Sequence, residues 1–213
     1  RFALSNEYYI DGSAHESPGY NGIQIRDMAR LFAGLERLRE LHPDRFVPPR
    51  FISPAKDPMF RRQYDFPLEF GLIGRTFPVI GDTGRAGPPK LLPPAQGYPC
   101  NLDDWITAYR LTGDSRFAQA MYGPDGVNLA KIEDPQLRKA AEDAGRTLGW
   151  QVMVPSNILD GYGHAILRSG HGDHQRAFWM RYSQAAQHVH QDMLTMGLAA
   201  MQPRGEVAQL RQL

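Results

Sequence analysis

Between Asn21 and Leu41 the apolar residues Ile23, Met28, Leu31, Leu35, Leu38 and Leu41 recur, from Met28 on, at spacings of three and four, and predict an amphipathic helix. A second helical pattern starts at Asn101, a good N-cap, with Asp103 and Asp104 in the first turn, where a carboxylate is favourable. It runs to about Leu111 and breaks at Thr112-Gly113-Asp114. Ser115–Met121 then predicts a short helix, and the two form an αα-hairpin. A further helix is expected from about Asp134 to Leu148. Beyond Ser156 the period shortens to that of strands. Gly163–Arg168 is short and apolar, Arg176–Tyr182 alternates, and His188–Met201 reads as a longer strand. Ser169–Asp173 joins the first two as a hairpin.

The stretch from Asp44 to Gly97 breaks this order. It holds most of the prolines, including Pro48-Pro49, Pro88-Pro89 and Pro93-Pro94, so long regular helices are not expected in it. Elaborated loops around a cleft are the expectation. The chain is thus read as an α+β multidomain protein. Residues 1–151 are helical with a Pro/Gly-rich insertion at 44–97, and a β part follows from 152 to 213.

Composition narrows the function classes. The 213 residues carry 24 Lys and Arg against 23 Asp and Glu, a net charge of +1 with no basic block, which argues against a nucleic-acid binder. With 42% apolar and 10% aromatic residues the chain is expected to be globular. The single Cys, Cys100, leaves no internal disulfide and no cysteine-rich zinc site. No apolar run has the length of a membrane span, and no signal peptide opens the sequence.

Two clusters carry candidate chemistry. On a strand, His188, His190 and Asp192 of His188-Val189-His190-Gln191-Asp192 share one face, a set suited to metal ligation or proton transfer near neutral pH. A solvated strand face is the plain alternative, and two His alone do not complete a tetrahedral zinc site. The second cluster, Asp11 to Asn21, puts His15, Glu16 and Tyr20 on a loop leading into the first helix. A Tyr there is ordinarily a core or rim aromatic, yet a phenol stabilised by neighbours transfers protons. His171 and His174 are expected on an exposed hairpin tip, His164 as a satisfied packing residue, and His42 at a helix C-terminus. Gly71–Gly74 and Gly81–Gly84 lack the lysine and the strand–Gly–helix context of a phosphate loop.

The order of these features carries a resemblance. A D-G-S-x-x-E-S-P-x-Y element (within Tyr9–Tyr20) is followed by a helical hairpin with a T-G-D turn (Ala108–Tyr122). Then come G-x-A-I-L-R-S-G (within Gly161–Gly170) and H-x-H-x-D-x-L (within His188–Ala199). Residues 44–97 match only loosely, around Pro78-Val79-Ile80-Gly81-Asp82. In this order the chain resembles the heparinase II/III-like polysaccharide lyases, which include alginate and heparan lyases.

That resemblance implies the end of an incomplete α/α toroid followed by the start of an antiparallel β-sandwich, with the active cleft between them. It implies β-elimination at a uronic acid, where hydrogen bonds to the carboxylate stabilise the developing enolate. Tyr20 matches the family's catalytic Tyr, the general acid and also a candidate base. His188 matches the catalytic His, a base or charge neutraliser, and His190 the first ligand of a structural zinc. Glu16, Arg26 and Arg168 are expected at the substrate, Glu16 by orienting the Tyr20 loop and the arginines, with Arg181 as a further candidate, by binding carboxylate or sulfate. The partner implied is an acidic polysaccharide, in a periplasmic or secreted setting, with a homo-oligomer left open. The family's Asn/His pair upstream of the Tyr, and the remaining zinc ligands, have no match, as expected equally of an internal piece of a longer protein and of a degenerate, inactive relative.

Two other readings stand beside it. One is a non-catalytic glycan-binding or structural relative. The other is a glycoside hydrolase, which needs two opposed carboxylates; Glu16, Asp82 and the Asp103-Asp104 pair are available, but no spacing singles out a pair.

Overall fold

The computed structural model describes residues 8–16, 18–47, 53, 56–74, 77–78, 80, 90–92, 100–182, 195–201 and 207–212. Among these, five α-helices and six strands form an α+β arrangement. Helix α1 spans Pro18–Leu41, with proline at the start, where its missing N–H costs nothing. It begins earlier than the sequence pattern indicates, so Tyr20 lies in its first turn and not on the preceding loop.

Helix α2, Pro58–Phe70, corrects the expectation that the proline-rich segment excludes long helices. Asp57 caps it by accepting the Met59 N–H at 2.9 Å, and Pro58 opens it. Pro67 sits near the end and removes one backbone hydrogen bond. Both faces are then buried. Phe60, Tyr64 and Leu68 pack into a helical core with Trp105, Phe117 and Met121. Phe66 and Phe70 pack instead into a second core against the sheet, with Tyr162, Ile166 and Trp179. One helix therefore joins the two halves.

Helices α3 (Leu102–Thr112) and α4 (Ser115–Tyr122) form the expected hairpin. A capping box starts α3, with Asn101 and Asp104 each accepting the other's backbone N–H, and Gly113 closes it at φ 67°, a left-handed conformation that suits glycine. Helix α5, Pro135–Leu148, is capped by Asp134 and packs on α4, where Gly145 lets the Tyr122 ring come close.

The strands are β1 (Lys90–Leu92), β2 (Asn157–Leu159), β3 (His164–Ser169), β4 (Arg176–Arg181), β5 (Thr195–Met201) and β6 (Val207–Gln212). They make one antiparallel sheet in the order β1-β6-β5-β4-β3-β2. The register pairs His164 with Arg181 and Arg181 with Thr195 at one end, and Ser169 with Arg176 at the other. Ile166, Ala177, Trp179 and Ala199 share the face that α2 covers. On the opposite face Leu167, Phe178 and Leu198 lie in cross-strand register, and all three are exposed.

Candidate functional site

At the His164–Arg181 end of the sheet, the loop before α1 docks onto the turn between β2 and β3. Asp11 organises the joint. One carboxylate oxygen accepts the Ser13 hydroxyl at 2.9 Å, and the other accepts the Tyr162 N–H at 2.7 Å. Gly12 is required beside it: its φ is +86°, and a Cβ there would lie 2.3 Å from the Arg62 carbonyl oxygen. Asn21, fully buried in α1, accepts the Ala14 N–H and donates to the Glu16 carbonyl at 3.1 Å. That same carbonyl accepts the Tyr162 hydroxyl at 2.8 Å. The D-G-S-x-x-E motif is thus a built structural joint. Its acidic residue at position 16 works through its backbone.

Behind the joint lies a buried stack of rings. Tyr162 stacks on His164 with centroids 5.5 Å apart, and His164 on Trp179 at 5.8 Å. The Phe70 ring meets His164 edge-on, and the Arg181 guanidinium lies over Tyr162 at 5.9 Å. His164 is fully buried, and among the described residues neither ring nitrogen has a hydrogen-bond partner. Burial and the neighbouring Arg181 charge depress its pKa to about 3, so the imidazole is neutral. His164 is therefore packed as expected but not satisfied. Burial drives the Tyr162 phenol up, well beyond its ordinary range. The Tyr9 ring meets His15 at a tilt, with centroids 4.0 Å apart; burial raises its phenol and Arg181 partly offsets this. Tyr182 donates to Asp160 at 2.8 Å, and partial burial with that carboxylate pushes its phenol up to about 12.

The residues expected at a site divide between several places. Tyr20 is 43% exposed on α1, one residue from Asn21, and so beside the joint. Arg26, half-buried on the same helix, acts electrostatically on Asp104 and Cys100 near the start of α3. Asp103 and Asp104 belong to that helix start, and Asp104 serves as its cap partner. His188, His190 and Asp192 lie outside the described residues, as does Asp82. Tyr182 and Thr195, which flank residues 183–194, are both at the joint end of the sheet.

Arg168 is at the other end, and its part differs from the one expected. Nε donates to the Gly71 carbonyl at 3.3 Å, and one terminal nitrogen donates to the Pro155 carbonyl and the Asn157 side chain, both at 2.7 Å. The second terminal nitrogen donates to the Gly71 carbonyl at 2.7 Å and to that of Glu69. A guanidinium has five N–H donors, and these contacts engage them all. Arg168 is a clamp between α2 and the sheet. It offers no donor to a substrate.

Beside that clamp a cleft of about 470 Å³ opens between the end of α2, residues 151–155 and the β3–β4 hairpin. Leu68, Ile73 and Val152 border it and are themselves almost fully buried. Gln151 and Gln175 face each other across it as a reciprocal amide pair, and Gln151 also donates to the Ile73 carbonyl at 2.6 Å. His171 and His174 are exposed on the hairpin, as expected.

The buried stack does not suit a zinc ion. His164 is its only imidazole, and the Arg181 charge beside it opposes a cation. Among the described residues, no group of three His, Cys, Asp or Glu side chains converges. No described helix is long and apolar enough to cross a membrane. No family model matches the chain, and no curated protein matches it.

The sequence reading missed Tyr162 and the structural parts of Asp11 and Asn21, and it took Arg181 for a binder of carboxylate or sulfate where the structure buries it against Tyr162. Asp11-Gly12-Ser13 is readable as a turn whose carboxylate bonds its own backbone. Nothing local marks its second partner, Tyr162, which is 151 residues away.

Proposed function

We propose that the chain is part of a heparinase II/III-like lyase that cleaves a uronate-containing polysaccharide by β-elimination, with its reacting centre at the joint end of the sheet. The observation that carries this reading is a convergence. The loop leading to Tyr20 is bonded to the β2–β3 turn through Asp11 and Glu16. At that same sheet end lie Tyr182 and Thr195, the residues bounding the segment that contains His188. The Tyr20 loop and the two residues that bound 183–194 are thereby brought to one end of the sheet.

In this reading His188 takes the proton from C5 of the uronate or, where it neutralises the carboxylate instead, the Tyr20 phenolate takes that proton and then returns it to the leaving oxygen. The C4–O bond breaks as the C4–C5 double bond forms, and the Tyr20 phenol protonates the departing oxygen. His190 would be one ligand of a structural zinc. The finer architecture belongs to the same proposal: helices α3 and α4 as a toroid hairpin, and the sheet as one layer of a sandwich. What supports the second layer is the exposed apolar row of Leu167, Phe178 and Leu198, since a sandwich packs two such faces about 10 Å apart.

The test is the ultraviolet absorbance of unsaturated uronate released by the full-length protein from alginate, heparan sulfate and other uronate glycans. Activity on one of these, with Tyr20→Phe lowering kcat by about 100-fold or more, is the expected result. Undiminished turnover by that variant would remove Tyr20 from the chemistry. Binding of the same glycans without any absorbance change would instead assign a non-catalytic glycan-binding protein.

A further inference from the structure

We propose that Tyr162 is a positioning residue for the Tyr20 phenol: by holding the Glu16 carbonyl, its hydroxyl sets where the first turn of α1 stands against the sheet. The inference rests on the lyase reading for its chemistry and on the joint alone for its geometry.

Tyr162 is fixed from the sheet side. It lies in the β2–β3 turn, fully buried. Its ring is edge-on to Phe66 and Phe70, with centroids 5.4 and 5.6 Å away, and stacked on His164. A side chain locked by packing in this way has one place for its hydroxyl. Burial also drives the phenol up, so the hydroxyl keeps its proton and stays a donor across the working pH range.

From there it grips the loop at both ends. Its N–H donates to the Asp11 carboxylate at 2.7 Å, where the loop begins, and its hydroxyl donates to the Glu16 carbonyl at 2.8 Å, where the loop passes into α1. Between these points the loop is closed on itself by the Asp11–Ser13 bond, the backbone bond from Tyr9 to Ser13 at 2.8 Å and the bridge between Tyr8 and Ala14.

The two donors on the Glu16 carbonyl do different things. Asn21 donates to it at 3.1 Å, but Asn21 follows Tyr20 on α1 and moves with it. That bond ties the loop to the helix and cannot set either of them against the sheet. Of the two, it is Tyr162 that refers the phenol to the sheet end where Tyr182 and Thr195 lie. A proton-transfer group has to be held within about 0.5 Å of its productive place, and small misplacements are costly in kcat.

The test compares Tyr162→Phe with the wild type in the full-length protein, by lyase kinetics on unlabelled enzyme and by 19F NMR of 3-fluorotyrosine placed at residue 20. Phe keeps the ring contacts and loses one hydrogen bond. kcat should fall about tenfold with KM within about twofold, since a fully buried side chain touches no substrate. The pH values at which the kcat profile turns should not move, because the lost hydroxyl does not titrate there. The 19F resonance should shift or broaden. Ile166→Val loosens the same core without reaching Glu16, so it should lower Tm and leave kcat and the 19F resonance as in the wild type. An active enzyme whose kcat is unchanged by Tyr162→Phe, or whose loss lies in KM, would overturn the inference, as would an equal loss of kcat in Ile166→Val. Wild-type protein inactive on every uronate glycan overturns the lyase reading instead. The 19F spectrum then decides the geometry: an unchanged resonance removes Tyr162 as the residue that places Tyr20, and a shifted one retains it.

Discussion

The two faces of the sheet invert the usual arrangement. The covered face carries His164, Arg168 and Arg181 among its apolar residues, with His164 and Arg181 fully buried. The uncovered face carries Leu167, Phe178, Met196 and Leu198, all exposed. Charges ordinarily stay in water and apolar rows leave it, because burying an ion costs far more than exposing a methylene. The inner face tolerates its charges because they do structural work: Arg168 ties three backbone carbonyls, and the Arg181 guanidinium lies against Tyr162. Among the described residues no such compensation is seen on the outer face. Contact with a further layer is the arrangement that would relieve the outer face, and each half of this contrast can be broken separately.

The largest effect is expected at Arg168. Arg168→Met keeps most of the side-chain volume but leaves the Glu69, Gly71 and Pro155 carbonyls and the Asn157 side chain without their donor. Charge-assisted bonds of this kind cost several kcal/mol to break from one side, so urea unfolding should show a loss of about 3 kcal/mol or more. Arg168→Lys should recover little of it, because a point charge cannot serve a fork of acceptors. A loss below about 1 kcal/mol would mean that the clamp is replaceable by water.

The joint comes next. Asp11→Ala leaves the Tyr162 N–H and the Ser13 hydroxyl without an acceptor in buried surroundings, at a cost of about 2 kcal/mol. Asp11→Asn should cost about half as much, since one oxygen remains and the amide nitrogen faces a donor. Equal losses in the two variants would show that only one of the carboxylate oxygens matters.

Helix ends were the most legible part of this fold. Asn101 with Asp104, Gly113 and Asp134 act where their side chains and φ preferences say they should, because capping is decided within a few residues. Helix α2 was hidden for the same reason in reverse. Its prolines count against a helix until Pro58 is seen to open it and Pro67 to fall near its end. The site was less legible than the fold. Tyr20 and Glu16 were noticed as side chains, yet Glu16 contributes a carbonyl, and Arg168, taken for a substrate cation, is committed to carbonyls 97 to 99 residues away. Tertiary pairing over such separations leaves no local mark.

At His164 the contrast becomes a pH dependence. Its folded pKa of about 3 lies below the ordinary 6.5, so between those values the unfolded chain binds a proton that the native chain refuses. Its full contribution is present above pH 6.5 and is lost as the pH falls, at about 1.4 kcal/mol per unit toward pH 3. Arg181 is the charge that adds to burial here. His164→Phe removes the titration, so between pH 7.5 and 5.5 the wild type should lose about 1.4 kcal/mol more unfolding free energy than the variant. Parallel losses would mean that the native ring is protonated, and the buried stack would have to open to water.

The smallest effect is expected on the outer face, and it says most about what covers it. Leu167 is 60% exposed, so Leu167→Thr in the 213-residue chain removes little buried surface and keeps a β-branched side chain on the strand. Its cost should stay below about 0.5 kcal/mol by urea unfolding. In the full-length protein the same substitution should cost about 2 kcal/mol if a second sheet packs over the Leu167–Phe178–Leu198 row, because it then places a hydroxyl in a closed apolar layer. The difference between the two measurements, rather than either alone, reports whether a second layer packs there. A cost below about 0.5 kcal/mol in both would leave the apolar row facing water and remove the main support for a sandwich.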